Sequence, residues 1–555
     1  MKKTIILITI IFISVISLSS CFCTKFLDVH TNMSNGEKYS LSGEYDKAID
    51  CYNKVIEIEP ENAEAYNKLG YILEQIGLYD EAIEQYKKAL SLNNELASAY
   101  TNLGSAYKEK KYYKKAIESL TKAISIAPEN AEAYSILSQI YIIQNKFDEA
   151  IRLCNKAISL NPESPSVYNS LGFAYYNNGA FDKGIENFQK AISLKEDYYQ
   201  AYNNMGLAYK ALGKLKEATE SINKAISINP KYDRSYNYLG LTKILEKDYE
   251  TALNSCNKAI ELKPGNYENY NCAGLSYYNQ GKFKEAIEMF DKSISIDADQ
   301  PDTYNYIGQV YLVKGEFEKA IDNYNKSLYL DRENYITHVR LGSAYEEMNR
   351  YDQSIVTLNK AISLKPDNDE AYSIRGKVYF KKNMVDKARE DLDMSLRINK
   401  DNFIANFVSG ELYFTTRRYN DALAYFQKAA TIKPERSDVY NNIGKTYYKI
   451  GNIGKSVDNY KKAISIDGDK AEYYNDLGLA YQAAEEYDLA EESFKKAISL
   501  NQQYLEAYIN LAQTYKKNGK PDEAIEKFNF AMRLKPELSS EINKEIAEIN
   551  KSKFK

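Results

Sequence analysis

The side chains best suited to nucleophilic or metal chemistry are few in this chain, with two histidines and six cysteines among 555 residues. His30 and His338 each stand alone, and the cysteines, Cys21, Cys23, Cys51, Cys154, Cys256 and Cys272, contain no CxxC pair. A general base without a nucleophile, or one ligand without three others, has no reaction to perform. No GxxxxGK[ST] loop that would cradle a phosphate occurs, and no GxSxG elbow. Carboxylates are abundant, but nothing pairs them into an acid and a base. His338 therefore reads as a packing residue, and Cys154 and Cys256 as buried thiols, with no disulfide framework suggested. The expectation is a chain that is not an enzyme, with no catalytic residue, cofactor or metal.

What remains is recognition, and the residues that could carry it recur with a fixed period. Stepping by 34 from Tyr202 meets Tyr66, Tyr100, Tyr134, Tyr168, Tyr236, Tyr270 and Tyr304, then Tyr372, Tyr440, Tyr474 and Tyr508, with His338 and Asn406 breaking the row. Four residues on, glycine recurs from Gly70 to Gly478, with Ser138 and Ala512 as small exceptions. Such self-similarity sets the architecture before any local propensity does. Within one unit, Tyr202, Met205, Gly206 and Tyr209 mark one helical face, and Leu212-Gly213 ends that helix. A second stripe at Ala218, Ile222, Ala225 and Ile226 stops before Pro230. Each unit is thus expected to be two antiparallel helices, and neither buries its stripe without a stacked neighbour.

These residues resemble the tetratricopeptide repeat, with Tyr202 in the usual tryptophan slot, then Met205-Gly206, Tyr209, Ala218, Ile222 in the aromatic slot, Ala225 and Pro230. Fifteen frames fit end to end from Val29 to Leu538. The resemblance implies an all-α, right-handed superhelical solenoid that binds other proteins, mostly extended peptides, on the face lined by the first helix of each repeat.

In that family the inward slots are the fifth, sixth, ninth, twelfth and thirteenth, which in the sixth repeat are Asn203, Asn204, Leu207, Lys210 and Ala211. Through the fourth to ninth repeats only Lys210 among these slots is charged. Apolar side chains dominate, among them Ile142, Phe173, Tyr176, Leu207, Tyr238, Leu241, Ile244, Leu275, Tyr278, Tyr306 and Leu312. The last six repeats carry charges in the same slots, for example Lys377, Lys381, Glu411 and Lys445. Exposed apolar surface on this scale marks a partner site. Asn169, Asn203, Asn237, Asn271 and Asn305 form a row through it, and each amide offers the donor and acceptor that a peptide main chain needs. The row resembles the asparagine ladder in the repeat region of O-linked N-acetylglucosamine transferases, one slot earlier. Lysine is absent from the fifth slot and asparagine from the ninth, so the family's clamp for chaperone tails is not expected.

Residues 1–20 stand outside the repeat. Lys2 and Lys3 precede an apolar run from Ile5 to Leu18 that is too short to span a bilayer, and the run ends in Leu18-Ser19-Ser20-Cys21. This is similar to a bacterial lipoprotein signal, which implies cleavage before Cys21 and its lipidation. Residues 21–28 would then be a short tether, 29–538 the repeats, and 539–555 a helix capping the last apolar face. The chain is expected in the cell envelope, lipid-anchored to the inner or outer membrane on its exported side. Lysine and arginine number 73 against 77 acids, giving a net charge of -4, so no footprint for nucleic acid is present. The function expected is a protein-binding scaffold. The alternatives are a self-associating assembly component of the envelope and a non-catalytic subunit that recruits substrate for an enzyme.

Overall fold

The computed structural model describes residues 25–553, and every regular element among them is helical. Helical residues 25–42 (α1) lead into α2 (Tyr45–Ile58), after which helical hairpins follow in tandem to the C-terminal end. The sixth repeat is typical, with α11 (Tyr199–Ala211, 13 residues) followed by α12 (Leu215–Ile228, 14 residues). Between them Gly213 takes φ +73°. Its N–H donates to Lys210 O at 3.0 Å and that of Lys214 to Tyr209 O at 2.9 Å, closing the first helix. Other repeats hold Lys111, Asn145 or Lys247 in this left-handed turn, where a side chain costs about 1 kcal/mol or more.

The chain forms two compact units, Met1–Ile296 and Asp297–Lys555. In the first, each first helix packs on its own second helix and on the second helix of the repeat before it. Close approach within a hairpin depends on the glycine slot. A Cβ at Gly206 would stand 2.6 Å from Ile222 Cγ1, and Ala218, Ile222 and Ala225 are fully buried around it. Tyr52, Tyr86, Leu120 and Phe188 fill the corresponding space against Gly36, Gly70, Gly104 and Gly172. Where the slot holds Ser138, the facing side chain shrinks to Cys154, and both are fully buried. Burial pushes the Cys154 thiol up to about 11.

The seventh repeat departs from this scheme. Its α13 (Asp233–Leu245) and α14 (Tyr249–Leu262) bring Gly240 against Cys256, a short residue where neighbours place a large one. The space is taken by Cys272 from α15 (Tyr267–Asn279), and Cys256 and Cys272 form a disulfide with Cα atoms 5.6 Å apart. The expectation of a buried thiol at Cys256 and no structural disulfide is therefore corrected. Cys51 and Cys154 are free and buried, while Cys21 and Cys23 lie outside the described residues.

The second unit runs from α17 (Pro301–Val313) and repeats the same pairing, as in Gly410 with Phe426 and Gly478 with Phe494. A 3₁₀ turn, Pro536–Leu538, precedes α31 (Ser539–Lys553). Ile542 and Ile549 of α31 are buried in a cluster with Leu511, Tyr515 and Phe528. Lys516 ties the same helix down through Glu545 at 2.8 Å and Glu548 at 2.9 Å. The all-α solenoid expected from the period is the fold observed.

Candidate functional site

The first helices of the first unit frame a cleft of about 320 Å³. Its walls come from α7 (Ala131–Ile143), α9 (Pro165–Asn177), α11 and α13. Ile142, Ile143, Phe173, Tyr232 and Tyr238 supply the apolar lining, and Gln139, Asn169, Ser170, Gln200, Asn203, Asn204 and Arg234 the polar one. Ile143, the last residue of α7, is half exposed at 51%, as is Leu245 at 55% at the end of α13. Phe173 stacks with Tyr176 at 6.0 Å between ring centroids, and Tyr232 meets Tyr199 edge-on at 5.1 Å. Rings held this way present fixed apolar faces. Burial pushes the Tyr238 phenol up to about 12, so it stays protonated and able to donate.

The expected groove residues divide. Ile142, Phe173 and Tyr238 line the cleft, with Tyr176 stacked behind Phe173. Leu207 is buried at 9% exposure, and Leu241 packs against the Cys256–Cys272 cluster. Ile244, Leu275 and Tyr278 are half-buried elsewhere on the first helices, with Tyr278 against Phe283 at 6.0 Å. Tyr306 and Leu312 belong to the second unit, where Leu312 packs beside Tyr324 and Leu341.

The asparagine row proves to be a set of pins between repeats. Asn203 Nδ2 donates to Ser235 Oγ at 2.8 Å, and Asn237 Nδ2 to Glu268 O at 3.0 Å and Asn269 Oδ1 at 3.1 Å. Asn204 Nδ2 donates back to Asn169 Oδ1 at 3.0 Å. The same backward bond joins Asn102 to Asn67 at 3.0 Å and Asn510 to Asn475 at 2.9 Å. In the second unit Asn305 donates to Thr337 and accepts from Arg340. Asn203, Asn237, Asn271 and Asn305 are buried. The amide donors of Asn203, Asn237 and Asn305 thus reach across the seams between repeats rather than toward a bound main chain, the role expected of them. Of the ladder acceptors in the cleft, Asn203 Oδ1 has no hydrogen-bond partner.

Arg234 and Tyr232 were not anticipated, because they occupy the second slot of the seventh repeat and the loop before it, outside the five slots taken from the family. Lys210, near the C-terminal end of α11, is lowered below the ordinary lysine range by burial, with no counter-charge facing it. By contrast the second unit neutralises its own first-helix charges. Lys377 and Lys381 meet Glu346 at 2.9 and 2.5 Å, and Lys445 meets Glu472 at 2.5 Å and Asp476 at 3.4 Å. His338 is held singly, its Nε2 3.0 Å from Arg332 O. Among the described residues no group of three His, Cys, Asp or Glu side chains is placed to hold a metal ion. None of the described helices is long and apolar enough to cross a membrane.

Comparison with known proteins gives a consistent picture of the repeat. Tetratricopeptide-repeat families match residues 233–266, 301–334, 385–437, 436–503 and 469–537, and a family described as TPR repeat matches 274–315 and 347–383. Residues 15–231 match the family described as the cilia and flagella-associated protein 70 C-terminal domain. No curated protein matches the chain. Among solved structures, the anaphase-promoting complex hetero-tetramer Cut9-Hcn1 is similar over 88% of this chain and 96% of that one, with 16% identity and TM-score 0.59. A MamA crystal structure is 35% identical over 31% of this chain and 93% of its own, with TM-score 0.27.

Proposed function

On the premise that this chain belongs to the tetratricopeptide-repeat proteins, we propose that it is a non-enzymatic scaffold whose first unit holds a polypeptide segment in the cleft between Ile142 and Tyr238. The observation that carries this reading is the cleft itself. There α7, α9 and α13, with Tyr232 before α13, leave aromatic and aliphatic side chains at the cleft wall, and α11 between them supplies amides. Apolar area of this kind releases water on binding, at roughly 25 cal/mol per Å², and a few polar groups fix the orientation of what enters. In this proposal the affinity comes from Ile143, Phe173 and Tyr238, while the asparagine row keeps the helices in register.

Export and anchoring through Cys21 complete the proposal. Its support is the lipoprotein-like sequence before Cys21, together with the buried Cys256–Cys272 disulfide, a bond that persists in oxidising compartments outside the cytosol. Radiolabelled palmitate incorporated by the wild type and not by Cys21→Ala is the expected result. Label retained on the variant would remove the anchor from the proposal.

The binding reading is tested with the full chain on an immobilised array of random octapeptides. Retention concentrated on peptides with aromatic or large aliphatic residues is expected, and retention of none removes the reading. A second reading, self-association, is favoured by Tyr329 and Val356, which are 80% and 69% exposed on second helices of the second unit. Sedimentation distinguishes it, since a single monomeric species from micromolar concentrations upward contradicts assembly.

A further inference from the structure

Resting on the peptide-binding reading of the cleft, we propose that its occupant is an acidic one: an extended segment in which carboxylates flank an apolar stretch, paired with Arg234 and Lys210. The charges of the cleft are one-sided. Among the described residues no carboxylate lines it, and besides Arg234 its polar groups are amides, phenols and the Ser170 hydroxyl. Arg234 lies in the field of the Tyr232 and Tyr238 phenols and of Glu268, but among the described residues it closes no ion pair. A guanidinium has five N–H donors, so most of its capacity faces outward. Lys210, two turns beyond Asn203 on α11, likewise closes no ion pair among the described residues.

The placement of the two cations matters as much as their sign. Arg234 is the second residue of α13 and Lys210 the second-last of α11. The first helices run side by side, so the cations stand at opposite ends of the face whose middle is Phe173, Asn203 and Tyr238. Cations that close no ion pair beside apolar walls raise the local potential, draw in anionic chains and reject basic ones. On the first-helix face of the second unit Lys377, Lys381 and Lys445 are by contrast already occupied by Glu346, Glu472 and Asp476.

The test is the octapeptide array read for composition, with the full chain as wild type, Arg234→Gln and Lys210→Gln. Retained peptides should be enriched in Asp or Glu together with Phe, Tyr, Leu or Ile. Replacing their acids by Asn or Gln should weaken binding by about five- to tenfold. In each variant the acidic and the amide-substituted peptides should bind alike. Peptides retained without acid enrichment, or an acid preference that survives both substitutions, would overturn the assignment and leave the apolar cleft standing. Retention of no peptide at all would remove the cleft reading, and the assignment with it.

Discussion

Cys256 on α14 is bonded to Cys272 on α15, so a covalent link crosses the seam between the seventh and eighth repeats directly over Gly240. The sulfurs occupy a volume that Ile222 fills in the hairpin before and Phe290 in the one after. A closed loop of this size restricts the unfolded chain by about 3 kcal/mol. Alkylation of the denatured, unreduced protein should leave these two thiols unmodified. Cys272→Ala should lower the unfolding free energy of the first unit by about 2–4 kcal/mol, read by denaturant titration. Full alkylation without reductant would contradict the bond.

Ser138 and Cys154 form a matched pair, since the hydroxymethyl group in the glycine slot takes the room that a large residue fills elsewhere. Cys154→Phe alone should overpack the hairpin by about 1–3 kcal/mol. Combined with Ser138→Gly, most of that loss should return. A double-mutant cycle on thermal unfolding measures the coupling, and additive effects would break the proposed complementarity.

Burial pushes the Glu411 carboxyl up to about 7, with Lys377, Lys381 and Lys445 only partly offsetting it and Asp438 adding to it. A carboxyl that holds its proton more tightly when folded opposes folding above its unfolded pKa. The penalty starts near pH 4.5, grows as pH rises and is complete above about 7. Glu411→Gln should therefore come near the wild type at pH 4 and exceed it at pH 8 by about 1–3 kcal/mol. Equal stabilities at both pH values would contradict the assignment.

If the asparagine row pins repeats together, Asn237→Ala should cost about 1–3 kcal/mol through its lost bonds to Glu268 O and Asn269. Peptide retention on the array should stay within about twofold, a change of under half a kcal/mol. Weaker retention without destabilisation would return the row to ligand contact.

The hairpin period was legible because each slot has one steric task. Gly206 faces Ile222 and Gly172 faces Phe188, so small and large recur in step. The cleft was half legible. Phe173, Ile142 and Tyr238 could be named from the inward slots that the resemblance implies, but a slot does not separate a residue at the edge of a seam from one facing solvent. Asn237 and Leu207 fell on the buried side of that border. The disulfide was hidden because its partners sit in unlike slots, 16 residues apart, and meet only after one repeat stacks on the next. Arg234 escaped notice because the second slot carries no periodic signal: Gln200, Arg234 and Glu268 succeed one another there.

The central claim is that the cleft of the first unit holds peptide through its aromatic walls. Its most direct test is the dissociation constant of the best-retained array peptide, measured by titration calorimetry for the wild type and for Phe173→Ser with Tyr238→Ser. Losing two buried ring contacts should weaken binding by about 30-fold or more while the global unfolding transition is kept. An unchanged dissociation constant in a folded double variant would place the binding surface elsewhere.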